Sequence, residues 1–234
     1  FAHKTRVTEE NVDLNRNFID FSRPLPVNPG YLELHPAITP QQWDDAAIAE
    51  VFRCLDSYRE RVGEQAFSDA FDGGQYSHVD GIFYGGHRPQ WANGAFRTAV
   101  KDHVGRARSV AFLDLHTGIG PWCEHVYLCF HPEGSAARER ARAWWGERAV
   151  NLQGVTHKKL ATYSGTIIEA FAAMLPAAEV TSIVIEFGTL PQREMQRASM
   201  AQRWMRFEGA RDPVLASRVR RSYEEAFYPA DPRW

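Results

Sequence analysis

Cysteine is scarce in this sequence, and its scarcity excludes a disulfide scaffold. The 234 residues contain three cysteines, Cys54, Cys123 and Cys129, and no two of them form a Cys-x-x-Cys pair. An odd number of cysteines without metal-binding spacing is typical of ordinary thiols in a reducing compartment. We therefore expect a cytoplasmic protein.

Long hydrophobic runs and a strong charge of one sign are also missing. Apolar runs such as residues 183–185 are far shorter than the roughly 20 residues of a membrane-spanning helix. The net charge of −2 provides no broad basic surface that could neutralise phosphates. We expect neither a membrane nor a nucleic acid as a partner, and the sequence predicts no particular oligomeric state.

The beginning of the sequence has no initiator methionine, no signal peptide and no targeting pattern. Phe1, Ala2 and His3 stand directly before a segment that reads as the interior of a domain. We therefore expect a further segment of the same domain to precede Phe1.

Apolar strands that alternate with helices predict one α/β domain over residues 1–234. Three short runs rich in β-branched and aromatic residues fit buried strands: residues 109–116, 125–130 and 180–187. Helical patterns occupy residues 91–104, 134–147, 165–175, 190–207 and 213–226. This order favours a three-layer α/β/α architecture with a mixed, largely parallel central sheet.

The first part of the chain is richer in turn-forming residues. Residues 22–40 hold many prolines, which predicts a long surface connection. Thr39, followed by Pro40 and Gln42, predicts the start of a helix that ends near Gly63. Residues 72–94 mix glycines with aromatic residues, which is typical of a loop.

An asparagine- and aspartate-rich segment, NVDLNRNF at residues 11–18, carries a single guanidinium. Such a segment is a poor helix and a poor strand. Arg16 is suited to gripping a carboxylate with two hydrogen bonds. On these residues alone, however, a polar turn whose side chains bond their own backbone is the favoured interpretation.

Two apolar segments end in groups that can carry acid–base or metal chemistry. Asp114 and His116 are two residues apart on a predicted strand and therefore share a face, so Asp114 can orient an imidazole that binds metal. A simple histidine–aspartate hydrogen bond fits the spacing equally well. Glu186 ends an apolar strand before Gly188, which makes it a candidate general base.

A zinc hydrolase usually holds its metal through three protein ligands. None of the nine histidines begins a His-x-x-Glu pair, so the metal site is incomplete from the residues alone. A serine or cysteine hydrolase is set aside because the sequence has no G-x-S-x-G motif.

Taken together and in order, three motifs resemble the zinc carboxypeptidase superfamily, which also includes aspartoacylase and succinylglutamate desuccinylase. They are DLNRNF at residues 13–18, DLHTG at 114–118 and IEFGT at 185–189. Residues 73–86 and 226–234 resemble an uncharacterised, mostly bacterial branch of that superfamily, and the match runs over nearly the whole chain. The resemblance implies a zinc carboxypeptidase-like catalytic domain that lacks its N-terminal part.

The resemblance implies a zinc-dependent hydrolase that cleaves a peptide C-terminal or an N-acyl amino acid amide bond. His116 is then the third ligand of one zinc ion, and Asp114 orients its imidazole. Glu186 is the general base and acid that activates the water. The other two ligands, a His-x-x-Glu pair in the family, are expected upstream of Phe1.

The resemblance also implies how the substrate is held. Asn15 and Arg16 clamp the free carboxylate of a small-molecule or peptide substrate, and Arg6 stabilises the oxyanion. Gln75 and Tyr76 shape substrate selectivity, or merely pack their own loop. An alternative of a different class is a non-catalytic carboxylate-binding domain that has lost its metal site.

Overall fold

The computed structural model describes residues 4–150 and 160–234, so Phe1, Ala2 and His3 lie outside the described residues. The chain divides into two compact units, each built from separate stretches of sequence. The first unit comprises Phe1–Gln90, Lys159–Thr166 and Arg193–Glu225, and the second comprises Trp91–Lys158, Ile167–Gln192 and Ala226–Trp234.

The described residues form α-helices and one small sheet. The helices are α1 (Pro29–Ile38), α2 (Asp45–Val62), α3 (Glu64–Asp72), α4 (Trp91–Val104), α5 (Ala136–Trp145), α6 (Glu147–Val150), α7 (Ile167–Met174), α8 (Gln192–Phe207) and α9 (Pro213–Phe227). The strands are β1 (Ser109–Thr117), β2 (His125–Leu128) and β3 (Glu179–Phe187). None of the described helices is both long enough and apolar enough to cross a membrane.

The first unit is helical and packs around an aromatic core. Residues of α1, α2 and α3 surround Tyr31, Phe67 and Phe71, whose exposed fractions are 1% or less, and residues of α8 and α9 complete the cluster. Burial of such large side chains supplies the main driving force for this unit.

Two expectations for the first unit are wrong. Residues 29–38, expected within a surface connection, form α1, because the Asn28 side chain caps the helix and Pro29 occupies its first turn, where proline is tolerated. Thr39 ends α1 instead of starting the next helix, and its hydroxyl donates to the His35 carbonyl. The next helix, α2, begins after Asp44, whose side chain accepts from the Ala47 amide.

The second unit contains the sheet, in the strand order β1–β3–β2. β1 is parallel to β3, from Ser109 opposite Glu179 to Thr117 opposite Phe187, whereas β2 is antiparallel to β3. The structure therefore confirms an α/β chain with a mixed sheet. The predicted helix at residues 91–104 is confirmed as α4.

Helices contact both faces of this sheet within the second unit. On one face, the ring of Phe112 in β1 stacks on Phe171 of α7 at a centroid distance of 4.0 Å, and Val180 of β3 joins the same cluster. Thr181 is the next residue along β3 and points to the opposite face. There its hydroxyl accepts a hydrogen bond of 2.8 Å from Arg140 of α5.

A histidine side chain accepts the hydrogen bond of a β3 amide that lies beyond the end of β2. The Ser182 amide donates to Nε2 of His131 over 2.8 Å, so the neutral imidazole replaces a strand carbonyl as acceptor. Burial lowers the pKa of His131, and the charges of Arg140 and Arg138 lower it further. The folded protein thus holds this imidazole in its neutral form.

We expect His131 to make stability depend on pH. Because its folded-state pKa lies below that of the unfolded chain, stability is full above the ordinary histidine pKa of about 6.5 and falls between that pH and the lowered folded value. His131→Gln keeps an acceptor near Nε2 but does not titrate, so urea unfolding between pH 8 and 5 should show a shallower acid loss. An unchanged acid loss in the variant would contradict this role.

Candidate active site

Parallel pairing of β1 with β3 brings three of the predicted site residues together in the second unit. His116 lies directly opposite Glu186, and Asp114 lies two residues earlier on the same face. The His116 Nε2 atom is 2.9 Å from Oδ2 of Asp114, and its Nδ1 atom is 3.6 Å from Oε1 of Glu186. One imidazole therefore stands between two carboxylates.

The three side chains differ in their access to solvent. The His116 side chain is 29% exposed, that of Asp114 is 17% exposed, and that of Glu186 is only 7% exposed. A carboxylate this deeply buried is costly to desolvate unless a positive charge, a proton or a hydrogen-bond donor stabilises it. The imidazole is the more accessible member of the cluster.

The contacts of His116 determine which ring nitrogen can bind a cation. Oδ2 of Asp114 makes no hydrogen bond, but its negative charge beside Nε2 favours the tautomer with the proton on that nitrogen, which leaves the lone pair on Nδ1. The lone pair on Nδ1 then faces the carboxylate oxygen of Glu186. These two electron-rich atoms repel each other unless a proton or a cation lies between them. The pair therefore fits one imidazole ligand of a zinc site together with a carboxylate that can take up a proton.

The described residues do not supply the remaining ligands of such a zinc site. Across residues 4–150 and 160–234, no group of three or more His, Cys, Asp or Glu side chains is arranged to hold a metal ion. The role of His116 as a zinc ligand therefore stays a prediction.

The backbone that follows β3 is tightly enclosed by the loop that follows β1. The Gly188 amide donates to the Glu124 carbonyl over 2.8 Å, and the Gly118 amide donates to the Phe187 carbonyl over 2.9 Å. A Cβ atom on Gly188 would lie 1.9 Å from the Pro121 carbonyl oxygen, so only glycine fits there.

The loop that encloses Gly188 also contains a strained residue. Cys123 has a φ of +60°, a value that residues other than glycine seldom adopt. The turn beside Glu186 is therefore closely packed and locally strained, and such strain is common next to functional sites.

A second candidate site, in the first unit, is centred on a buried arginine. Arg16 is 6% exposed, and its guanidinium carbon lies 4.8 Å from the ring centre of Tyr163 and 5.6 Å from that of Phe83. Its Nη1 donates to the Asn15 carbonyl and its Nη2 to the Asp72 carbonyl, each over 2.8 Å. The buried Nε makes no hydrogen bond, and no described carboxylate pairs with this guanidinium.

The unused donors of Arg16 suit an anion. A guanidinium has five N–H groups, and two carbonyl partners leave three of them, including the one on Nε, for a ligand. A buried arginine with donors that make no hydrogen bond to protein can hold a carboxylate strongly, because charge-assisted bonds are shielded there from water.

Arg6 lies against the same aromatic ring. Its guanidinium carbon is 4.9 Å from the ring centre of Phe83, and its Nη2 is 3.3 Å from Oδ2 of the buried Asp13. Asp13 also accepts from the Asn15 amide and so starts the short 3₁₀ helix Leu14–Arg16. Phe83 itself has a φ of +51°. A strained aromatic residue between two arginines is a feature that sequence reasoning missed; its one signal was its place in the glycine-and-aromatic loop.

The asparagine-rich segment combines both interpretations made from the sequence. The Asn17 side chain donates to the Gly85 and Arg88 carbonyls, and that of Asn11 donates to the Gly81 carbonyl. These contacts tie the segment to the glycine-and-aromatic loop. Polar-turn chemistry therefore fixes the segment, while Arg16 keeps donors for another role.

The contacts of Gln75 and Tyr76 are largely with their own surroundings. Gln75 is fully buried, and its Oε1 accepts from the Ser77 and His78 amides while its Nε2 donates to the His78 carbonyl. The Tyr76 hydroxyl donates to the Arg16 carbonyl over 2.7 Å. Gln75 thus stabilises its own loop, and Tyr76 holds the backbone of Arg16 through its carbonyl. A direct contact of either residue with substrate stays a prediction.

The predicted site residues are divided between the units. Those in the second unit form one cluster: Asp114, His116 and Glu186. Those in the first unit lie on the arginine-bearing segment and the loop beside it: Arg6, Asn15, Arg16, Gln75 and Tyr76.

The chain matches a known protein family. The family model described as "Protein of unknown function (DUF2817)" matches residues 1–234. No curated protein and no solved structure matches the chain.

We expect Gly188→Ala to disrupt the turn beside Glu186. The added methyl would overlap the Pro121 carbonyl, and overpacking of this kind typically costs about 1–3 kcal/mol. Gly94→Ala is the matched control, because Gly94 lies within α4 with open space around it and alanine favours a helix. Urea unfolding should show a loss for the first variant and none for the second; equal stabilities would contradict the enclosed turn.

Proposed function

The chain belongs to the DUF2817 family, and we propose that it is the catalytic part of a zinc-dependent hydrolase that cleaves an amide bond next to a free carboxylate. The proposal includes a zinc carboxypeptidase-like arrangement of the fold. The observation that carries it is the adjacency of His116 and Glu186 on two parallel strands, with Asp114 at the opposite nitrogen of the imidazole.

The second unit carries two groups that such a hydrolysis would use, an imidazole for the metal and a carboxylate for the proton. When bound at such a site, zinc lowers the pKa of water and polarises a carbonyl. His116 would hold the ion through Nδ1, in the tautomer that Asp114 favours. The Glu186 carboxylate accepts a proton from water and delivers it to the leaving amine, which is the role of a general base and then a general acid.

The first unit supports the choice of substrate class. Arg16 is buried against two aromatic rings, its Nε makes no hydrogen bond, and no carboxylate among the described residues pairs with it. A guanidinium in this position has the chemistry that recognises a carboxylate. C-terminal peptides and N-acyl amino acids both carry that group, so both belong to the proposed class. Arg6 keeps the oxyanion role that the resemblance implies.

We expect Glu186→Gln to abolish turnover while zinc stays bound. The amide cannot accept the proton from water, and loss of a general base commonly costs about 10²–10⁴-fold in rate. His116→Ala should lower the affinity for zinc itself. Zinc titration calorimetry would be paired with a hydrolysis assay on N-acetyl amino acids and blocked dipeptides.

The same two variants distinguish catalysis from binding alone. Full activity of Glu186→Gln, or zinc binding unchanged in His116→Ala, would contradict the proposed mechanism. If the wild-type protein binds N-acetyl amino acids but never hydrolyses them with zinc present, the chain is instead a non-catalytic carboxylate-binding domain.

We expect Arg16→Lys to weaken substrate binding through the carboxylate. Lysine keeps the charge but loses the planar pair of donors, and a hydrogen bond to a charged group is worth about 1.5–3 kcal/mol. The KM for an N-acetyl amino acid should therefore rise about ten- to a hundredfold, whereas that for the corresponding amide should change little. Arg23→Lys, at an exposed position of the same unit, is the control. An equal change for the acid and the amide would contradict the assignment.

A further inference from the structure

The last residues of the described chain fold back onto the turn beside Glu186. The Trp234 indole donates from Nε1 to the Gly188 carbonyl over 2.9 Å, and Gly188 lies two residues after Glu186. The backbone carbonyl of Arg233 accepts from the Cys123 thiol over 3.2 Å, in the loop that encloses the same turn. All of these residues belong to the second unit.

The tail is itself ordered so that the indole points at the turn. The Trp234 amide donates to the Asp231 carbonyl over 3.0 Å, which closes a turn at residues 231–234. The Tyr228 ring meets the Trp234 ring edge-on, with 5.8 Å between ring centres. Tyr228 is 75% exposed, so this contact does little for burial and mainly orients the indole.

The indole supplies the shorter of two hydrogen bonds to the Gly188 carbonyl, while the Gly188 amide is held separately by the Glu124 carbonyl over 2.8 Å. The Gly188 carbonyl accepts from the Cys123 amide at 3.3 Å, a long bond, and from the indole at 2.9 Å. Ladder pairing of β3 with both neighbours ends at Phe187, so Gly188 is the first residue held by loop and tail contacts alone. Strand ends open locally when such contacts are weak.

We propose that Trp234 is a positioning residue for Glu186. Its indole N–H fixes the Gly188 carbonyl, which stops the end of β3 from opening and keeps the Glu186 carboxylate beside His116. The proposal rests on the proposed function in so far as Glu186 is the carboxylate that moves the proton. The tail therefore acts on the reaction through the backbone of β3, without touching the substrate.

The test compares Trp234→Phe with Trp91→Phe in the whole protein. The first variant keeps an aromatic ring but loses the N–H donor, and the second changes a 73% exposed tryptophan of the same unit. Amide hydrogen exchange is measured for residues 117–124 and 186–190. Turnover of an N-acetyl amino acid with zinc is measured in parallel, with Glu186→Gln as the reference for lost catalysis.

Loss of the indole bond should speed exchange in both segments about fivefold, since a typical hydrogen bond contributes that factor. In the same variant, kcat should fall with KM unchanged, because the clamp for the substrate is untouched. Trp91→Phe should match the wild type in both measurements.

Two results would overturn the positioning role. Exchange at residues 186–190 that is unchanged in Trp234→Phe would show that the indole does not hold the turn. Faster exchange with unchanged kcat would show that the tail stabilises the turn without positioning the carboxylate. Turnover that does not depend on Glu186 would instead refute the proposed function, while the exchange measurement would still decide whether Trp234 holds Gly188.

Discussion

The register between β1 and β3 is the constraint on which the candidate active site depends. Parallel pairing places His116 opposite Glu186, although 69 intervening residues separate them along the chain. A shift of one residue in either strand would turn one of the two side chains to the other face of the sheet. The register is held by the apolar cluster of Phe112, Phe171 and Val180 at one end of the strands and by the turn at Gly188 at the other. The core of the second unit and its proposed chemistry are therefore set by the same pairing.

The two units carry different kinds of polar site. The second holds a histidine between two carboxylates, a group suited to metal binding and proton transfer. The first holds Arg16 between two aromatic rings, with unused donors that suit an anion. Each arrangement is costly for stability, since it keeps charged or polar groups away from water. Such costs are common at functional sites.

Much of the fold and part of the candidate site could be predicted from the sequence, wherever local patterns are strong. The apolar run at residues 180–187 and the helix at 91–104 needed only hydrophobic periodicity, and the pair of Asp114 with His116 needed only strand alternation. α1 was missed because prolines mark turns as often as helix starts, and burial of Tyr31 decides between them. The contacts of Phe83 with two arginines, and that of Trp234 with Gly188, join residues far apart in sequence, and no local signal encodes them.

The most direct test of the account is to locate the metal. Crystals of the protein grown with zinc, with anomalous differences collected at the zinc absorption edge, would show which nitrogen of His116 binds the ion. The account predicts an anomalous peak bonded to Nδ1, on the side of Glu186, with Asp114 still at Nε2. A peak at Nε2, or none near His116 at saturating zinc, would contradict it.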